Sequence, residues 1–382
     1  MPNRALLALL AATLIVSACD PADSQGPGES DPVTWTKVDL PAREEPVTLT
    51  PDGEKLLIGL RHRGAKVVPG LTIRSDDGTL TPIPLKPTSP YAFEAIWQSV
   101  AIDGTTILGL GGAAGGAHSN TRYTVWTGTT SGVVEKPQEF NTFGGQNAGG
   151  VIGAVLTPSG GALLGTWGSA VSGLDAAVWL PEGEKKWVRQ NVAGTALQST
   201  AALLVGPTSG TVSGDGIVLG GSQVKLGPNL VEQHAALWRS TRLNQGWSRL
   251  ELPEAGTRSE VRAITCTTTT CLASGYVDGK LAMWKIEGDQ ATRYQGVPQV
   301  AVGDKDRVPS AVESGGKLIQ LAADGGKVKV LIGDDNQWTV RDVTGPTEQV
   351  AQTVLVAGAL YLLSGPVGGP LTLWRAEVAA LH

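Results

Sequence analysis

The chain has 382 residues, 17% of them charged, and a net charge of −5. It carries no basic stripe, so nucleic acid finds no electrostatic footprint and the partner belongs to another class. Only four histidines occur and His382 is terminal, leaving His62, His118 and His234 for a histidine-based metal site. No metal and no cofactor is expected.

The opening MPNRALLALLAATLIVSAC has one positive charge at Arg4, an apolar run from Ala5 to Val16, and small residues before Cys19. This is a secretion-signal pattern, too short to span a bilayer. VSAC resembles the lipobox of exported bacterial lipoproteins, where cleavage leaves an N-terminal cysteine that carries acyl chains. The resemblance implies a signal peptide over 1–18, lipidation of Cys19, and a lipid anchor on the extracytoplasmic face of a bacterial cell membrane. Two or more acyl chains hold stably where one binds marginally. DPADSQGPGESDP, residues 20–32, has no large apolar residue and cannot fold by burial, so 19–32 form a flexible tether. The remaining cysteines, Cys266 and Cys271, are separated by four threonines, a spacing that suits a disulfide across a short hairpin in an oxidising compartment.

From residue 33 onward short alternating apolar runs are bounded by Gly, Pro, Asp and Ser, and no segment shows a helical period. Apolar-Trp pairs end at Trp126, Trp179, Trp238, Trp284 and Trp374, at intervals of 53, 59, 46 and 90 residues. The last interval is two periods of 45, and KVKVLIGDDNQWTVRDV fills the gap with the pattern but without that Trp. Each unit reads as four strands. Units over about 43–86, 91–139, 146–192, 199–252, 259–297, 308–343 and 349–379 make an all-β, seven-bladed β-propeller of four-stranded antiparallel blades spanning 33–382. The seventh unit lacks an outer strand. VTWTKVDL at residues 33–40 matches the outer strands KWVRQNV, GWSRLEL and QWTVRDV, so the N-terminal strand is expected to join the last blade and remove its open edge. The repeated Trp residues read as blade-to-blade packing, whereas Trp97 and Trp167 lie outside the series.

VRAITCTTTTCLASGYVDGKLAMWKIEGD resembles the blades of exported bacterial propellers related to the sialidase-like repeat group. In that group a paired-Cys hairpin precedes an apolar strand, a Gly and a Trp-ended strand. Its Asp-box is only approached, by RSDDGTLTP at Ser75, which is one residue short and lacks the Trp. The resemblance implies, as one reading, a glycan hydrolase in which Arg61, Arg63 and Arg122 converge with a Tyr and an acid. Tyr123, Tyr276 and Tyr294 are the available tyrosines. A serine hydrolase is not indicated, since G-x-S-x-G is absent. The Asp-Gly turns at Asp304 and Asp334 read as ordinary turn chemistry.

The segments joining second to third strands are longer in units one to four: GLRHRGAKVVPG, GLGGAAGGAHSNTRY, GTWGSAVSGLD and GGSQVKLGPNLVEQH. Loops of this kind are where binding residues are placed at little cost in stability. The ligand-binding candidates are therefore Arg61, His62, Arg63, His118, Asn120, Arg122, Trp167, Asp175, Lys225, Glu232 and His234, gathered above one half of the ring. With no catalytic constellation evident, the expected role is a non-catalytic, membrane-tethered binding propeller. It would act as a monomer, with a protein partner or envelope glycan as ligand.

Overall fold

A computed structural model describes residues 32–115, 120–334 and 337–381. Seven antiparallel blades form a β-propeller, over residues 44–82, 96–136, 148–189, 203–251, 259–293, 312–347 and 349–377. Blade two gains a fifth short strand, Leu85–Lys86, parallel to its outer strand. Three single helical turns accompany the strands among the described residues: Pro90–Phe93 and Phe140–Phe143, in the connections before blades two and three, and a 3-10 turn, Val378–Leu381, after the last strand. SPYAF starts the first of them, because Ser89 accepts from the Ala92 amide and Pro90 is preset for a first turn.

The middle strands are almost continuously buried, as in KLAMWKIE of blade five, where only the two ends are exposed. Both faces of a blade are covered by its neighbours, so alternation gives way to an unbroken apolar run. Outer strands such as Gln290–Arg293 meet water and keep the alternation. Each pair of adjacent blades encloses its own apolar cluster. Trp126, Trp179, Trp238 and Trp284 are each at most 1% exposed and pack towards the preceding blade. Blade six uses Leu331 at the corresponding place between blades five and six.

Closure follows the sequence expectation and extends it. Thr36 and Lys37 pair antiparallel with Arg375 and Trp374 as the outer strand of blade seven. Just before them, Val33 and Thr34 pair in parallel with Val343 and Thr344 of blade six. Trp35, 4% exposed, sits between these two pairings in the cluster shared by blades six and seven. The first strand thus ties two blades together.

In six blades the innermost strand is broken by a β-bulge, at Val47, Gln98, Ile152, Thr208, Arg262 and Ala351. All six residues line the central channel, of about 1060 Å3. A bulge places two residues against one and re-aims a side chain. Glycines stand opposite some of these bulges because the backbones approach too closely for a Cβ, which at Gly221 would collide with the Gly206 carbonyl and at Gly275 with the Glu260 carbonyl. Side chains beside the bulges stitch one blade to the next. Thr50 donates to the Val100 carbonyl at 2.5 Å and Thr208 to the Val261 carbonyl at 2.5 Å. Gln352 of blade seven accepts from the Leu49 amide at 2.8 Å and donates to the Leu49 carbonyl at 2.6 Å, closing the ring at its seam.

Candidate functional site

The face bearing the turns between second and third strands, with the connections between blades, is termed the upper face. The disulfide Cys266–Cys271 pins the opposite end of blade five, across directly paired positions of its first hairpin. Cys19 lies outside the described residues, as does His118.

Long stretches expected to be loops are ladder instead. In blade four the second strand runs Gly216–Gly227 and the third Leu230–Arg239, joined by two residues. Lys225 stands directly opposite Glu232 on this extended hairpin. Arg61, His62 and Arg63 likewise belong to the strand Lys55–Arg63 of blade one.

Most of the predicted ligand-binding cations are occupied by carboxylates of their own blade. Glu45, 5% exposed, accepts from Arg61 through Oε1 and from Arg63 through Oε2, and the Leu371 amide of blade seven donates to it at 3.1 Å. Burial alone would raise this carboxyl, but the hydrogen bonds from Arg61, Arg63 and Leu371 more than offset that and hold it below the usual range. His62 pairs with Glu44 at 3.1 Å. In blade four, Glu251 accepts from Lys225 Nζ at 2.8 Å and from Gln223 at 2.6 Å, and its Oε1 lies 2.8 Å from His234 Nδ1. Here too burial is outweighed, by Lys225 and His234, and the carboxyl is lowered. Glu232 lies 3.8 Å from the other nitrogen of His234.

The remaining candidates divide. Asp175 is buried and accepts from the Ser199 amide at 2.7 Å, a tie between blade three and the connection that follows it. Trp97 is also structural, 3% exposed with its indole N–H on the Gly70 carbonyl at 2.7 Å. Trp167 is half-buried beneath the Arg189 guanidinium, 5.0 Å from the ring centre. Asn120 is exposed. Arg122 lies between two aromatic rings, 4.3 Å from the centre of Phe140 and 5.8 Å from that of Tyr91.

A different grouping emerges around that arginine. Of the ten large apolar side chains exposed among the described residues, nine lie on the upper face or its rim: Val68, Tyr91, Phe93, Phe140, Val171, Leu174, Leu230, Val231 and Val367. Only Val340, in the outer strand of blade six, is elsewhere. Eight of the nine belong to blades one to four or their connections. The single helical turns SPYAF and EFNTF carry three of them, and their sequence signal was an aromatic residue within a Pro- or Gly-flanked connection.

Blade five and the connection that follows it carry a further charged cluster. Glu260 and Arg262 lie on the first strand of blade five, Ser259–Cys266, with Arg258 just before it, and Tyr276 stands opposite Glu260 on the second. Arg262 pairs with Glu260 at 3.0 Å, Arg258 pairs with Asp304 at 2.9 Å, and both guanidinium groups lie over the Tyr276 ring. Burial pushes the Glu260 carboxyl up despite the two arginines, and burial with the Glu260 charge pushes the Tyr276 phenol up. Tyr276 is 2% exposed and its hydroxyl oxygen has no solvent access. A nucleophile must reach its substrate, so this Tyr-Glu pair is chemically a buried brace. Tyr123 is likewise engaged, accepting from the Val151 amide at 3.2 Å.

No protein-family model matches this sequence, and no curated protein does. Solved structures do resemble the fold. The β-propeller domain of the Trilobed protease from Pyrococcus furiosus, described as having an open velcro topology, aligns at TM-score 0.51 and 11% identity over 87% of this chain and 95% of that one. In the present chain, by contrast, the first strand pairs into blades six and seven. A Mycobacterium tuberculosis puromycin-hydrolyzing peptidase aligns at TM-score 0.53 and 12% identity over 92% of this chain and 55% of that one. The Pyrococcus horikoshii acylaminoacyl peptidase gives 0.51 and 11% over 87% and 51%. The chain spans about half the length of these two peptidases, and the likeness is one of fold.

Proposed function

We propose that this protein is a lipid-anchored, extracytoplasmic binding propeller that engages a protein partner through the upper face above blades one to four. The observation that carries this reading is the one-sided distribution of exposed apolar side chains. Monomeric surfaces expose such residues singly, whereas grouped ones rimmed by polar residues mark contact sites. Phe93 and Phe140 are 53% and 57% exposed, and Val231 is 73% exposed. An arginine held between Tyr91 and Phe140 adds the aromatic-arginine chemistry that dominates protein interfaces. Aliphatic side chains at Val171, Leu174, Leu230 and Val231 suit a protein surface better than a sugar, which needs polar partners beside each ring.

The binding reading is favoured over the hydrolase one by what the candidate arginines and tyrosine touch. Arg61 and Arg63 are held by Glu45, Arg122 lies against Tyr91 and Phe140, and Tyr276 is buried. Anchoring rests on Cys19 and the tether of 19–32.

The test is cross-linking and affinity capture from intact cells with the native chain and with a Phe93→Ser, Phe140→Ser, Val231→Ser variant. All three positions are exposed, so the variant should keep its thermal stability. The expected result is a specific protein captured by the native chain and lost from the variant, with Cys19→Ser moving the protein from the membrane to the soluble fraction. Identical capture profiles from both chains contradict the reading.

A further inference from the structure

At the upper ends of the second-to-third-strand hairpins of blades one to four, every basic side chain but one has a carboxylate of its own among the described residues. Those of blades one and four are held by Glu44, Glu45 and Glu251, and Lys66 at the tip of the blade-one hairpin pairs with Glu94 at 2.8 Å. Arg122 of blade two is the exception. Its side chain makes no ion pair and no hydrogen bond with a described residue, and its contacts are to aromatic rings. The carboxylates on the neighbouring turns are committed elsewhere, Glu94 to Lys66 and the buried Glu135 to Thr88 and Ser89.

The place of this guanidinium is fixed all the same. Its central carbon lies 4.3 Å from the centre of Phe140 and 5.8 Å from that of Tyr91, rings carried by the two helical turns that flank blade two. Its Nε is shut off from solvent, whereas the two terminal nitrogens are not. The aromatic surface of the same turns is open as well, at Tyr91, Phe93 and Phe140. An arginine clamped between rings has lost its rotamer freedom before any partner arrives, so pairing it costs less order than pairing a mobile lysine. Apolar neighbours that exclude water strengthen each charge-assisted hydrogen bond it then makes.

Blade three repeats the arrangement. Arg189, at the upper end of the outer strand, is exposed over Trp167 and has no carboxylate among the described residues. Asp175, directly across the ladder from Trp167, is already taken by the Ser199 amide. We propose that the partner presents an acidic segment to this part of the face, with an Asp or Glu carboxylate on the terminal nitrogens of Arg122 and apolar side chains on Tyr91, Phe93 and Phe140. Arg189 supplies a second, weaker contact. This inference rests on the protein-binding reading above and names the chemistry of the partner.

The test selects short peptides from a random display library on the immobilised full chain. Fluorescence polarisation then compares the best binder with its amide match, in which Asn replaces Asp and Gln replaces Glu. The expected result is an excess of Asp and Glu beside Leu or aromatic residues, and an acidic peptide that binds roughly tenfold or more tighter than its match. Arg122→Gln should weaken the acidic peptide about tenfold and leave the amide match nearly unchanged, so the two changes are far from additive. Arg122→Lys, which keeps the charge but not the planar fork, should fall between, and it decides the matter if Arg122→Gln does not fold. Arg249→Gln removes the same charge from an exposed place on the outer strand of blade four and should bind as the native chain does. Peptides that are lost from a Phe93→Ser, Phe140→Ser variant but carry no acidic excess overturn this proposal and leave the protein-binding reading standing. So does an equal effect of Arg122→Gln on both peptides. Peptides that bind the Phe93→Ser, Phe140→Ser variant unchanged, or no enriched peptide at all, overturn both.

Discussion

Glu45→Gln separates a structural role for Arg61 and Arg63 from a ligand-binding one. The substitution keeps the shape of the side chain and removes the charge that two guanidinium groups and a backbone amide converge on. Arg61 is 19% exposed, so the hydrogen bond it loses to a charged partner costs about 1.5–3 kcal/mol. Arg63 is 51% exposed, and water recovers most of its share, leaving about 0–1 kcal/mol. The expected destabilisation is about 1.5–4 kcal/mol, read as a lowered urea midpoint at neutral pH. The sign with pH follows from the lowered Glu45 carboxyl. Its stabilisation is fully present above the ordinary Glu range, near pH 4.3, and is lost as pH falls through the lower folded value. The gap between native and variant chains should therefore be constant from about pH 7 to 5 and close in acid. A gap under about 0.5 kcal/mol at neutral pH, or one that persists unchanged at pH 3, would refute the assignment.

Trp238→Ala should destabilise by about 3–5 kcal/mol in the same urea assay, since the ring is wholly buried between blades three and four. Glu260→Gln should have the opposite pH signature to Glu45→Gln. Burial raises the Glu260 carboxyl, so the neutral isostere stabilises at pH 7 and the gain vanishes once acid protonates the native residue; a loss of stability at pH 7 contradicts this. Gln352→Ala removes both bonds to the Leu49 backbone and should cost about 1–3 kcal/mol, with hydrogen exchange rising first at the seam between blades seven and one.

The blades were legible because turn residues and alternating apolar runs delimit short strands, and the Trp-led VTWTKVDL announced the closing strand. The parallel pairing of Val33 and Thr34 with blade six left no pattern, since two residues cannot show a period. The bulge ring was hidden for a related reason. One inserted residue looks the same in sequence as a normal strand, and only the glycines opposite, such as Gly221 and Gly275, record it. The binding residues were harder. GSQVKLGPNLVEQH mixes Lys, Gln and His like a loop, yet Lys225 and Glu232 face each other across a hairpin that projects beyond the ring, where both of its faces can be polar. Glu45 and Glu251 sit inside strands and gave no sign of gathering the nearby cations. Exposure itself is set by the neighbouring blade, so Phe93 and Phe140 could not be told from core residues by type, while Trp97, outside the repeat, turned out to be core.

Whether the upper face carries the partner is tested by a scan with a photo-crosslinking amino acid in living cells. It would stand in turn at Phe93, Phe140 and Val231 on the upper face and at Glu54, Asp103 and Glu184 in turns of the opposite face. The expected result is one crosslinked protein species shared by the three upper positions and absent from the three lower ones. Crosslinks of equal yield from both faces, or from the lower positions alone, would contradict it.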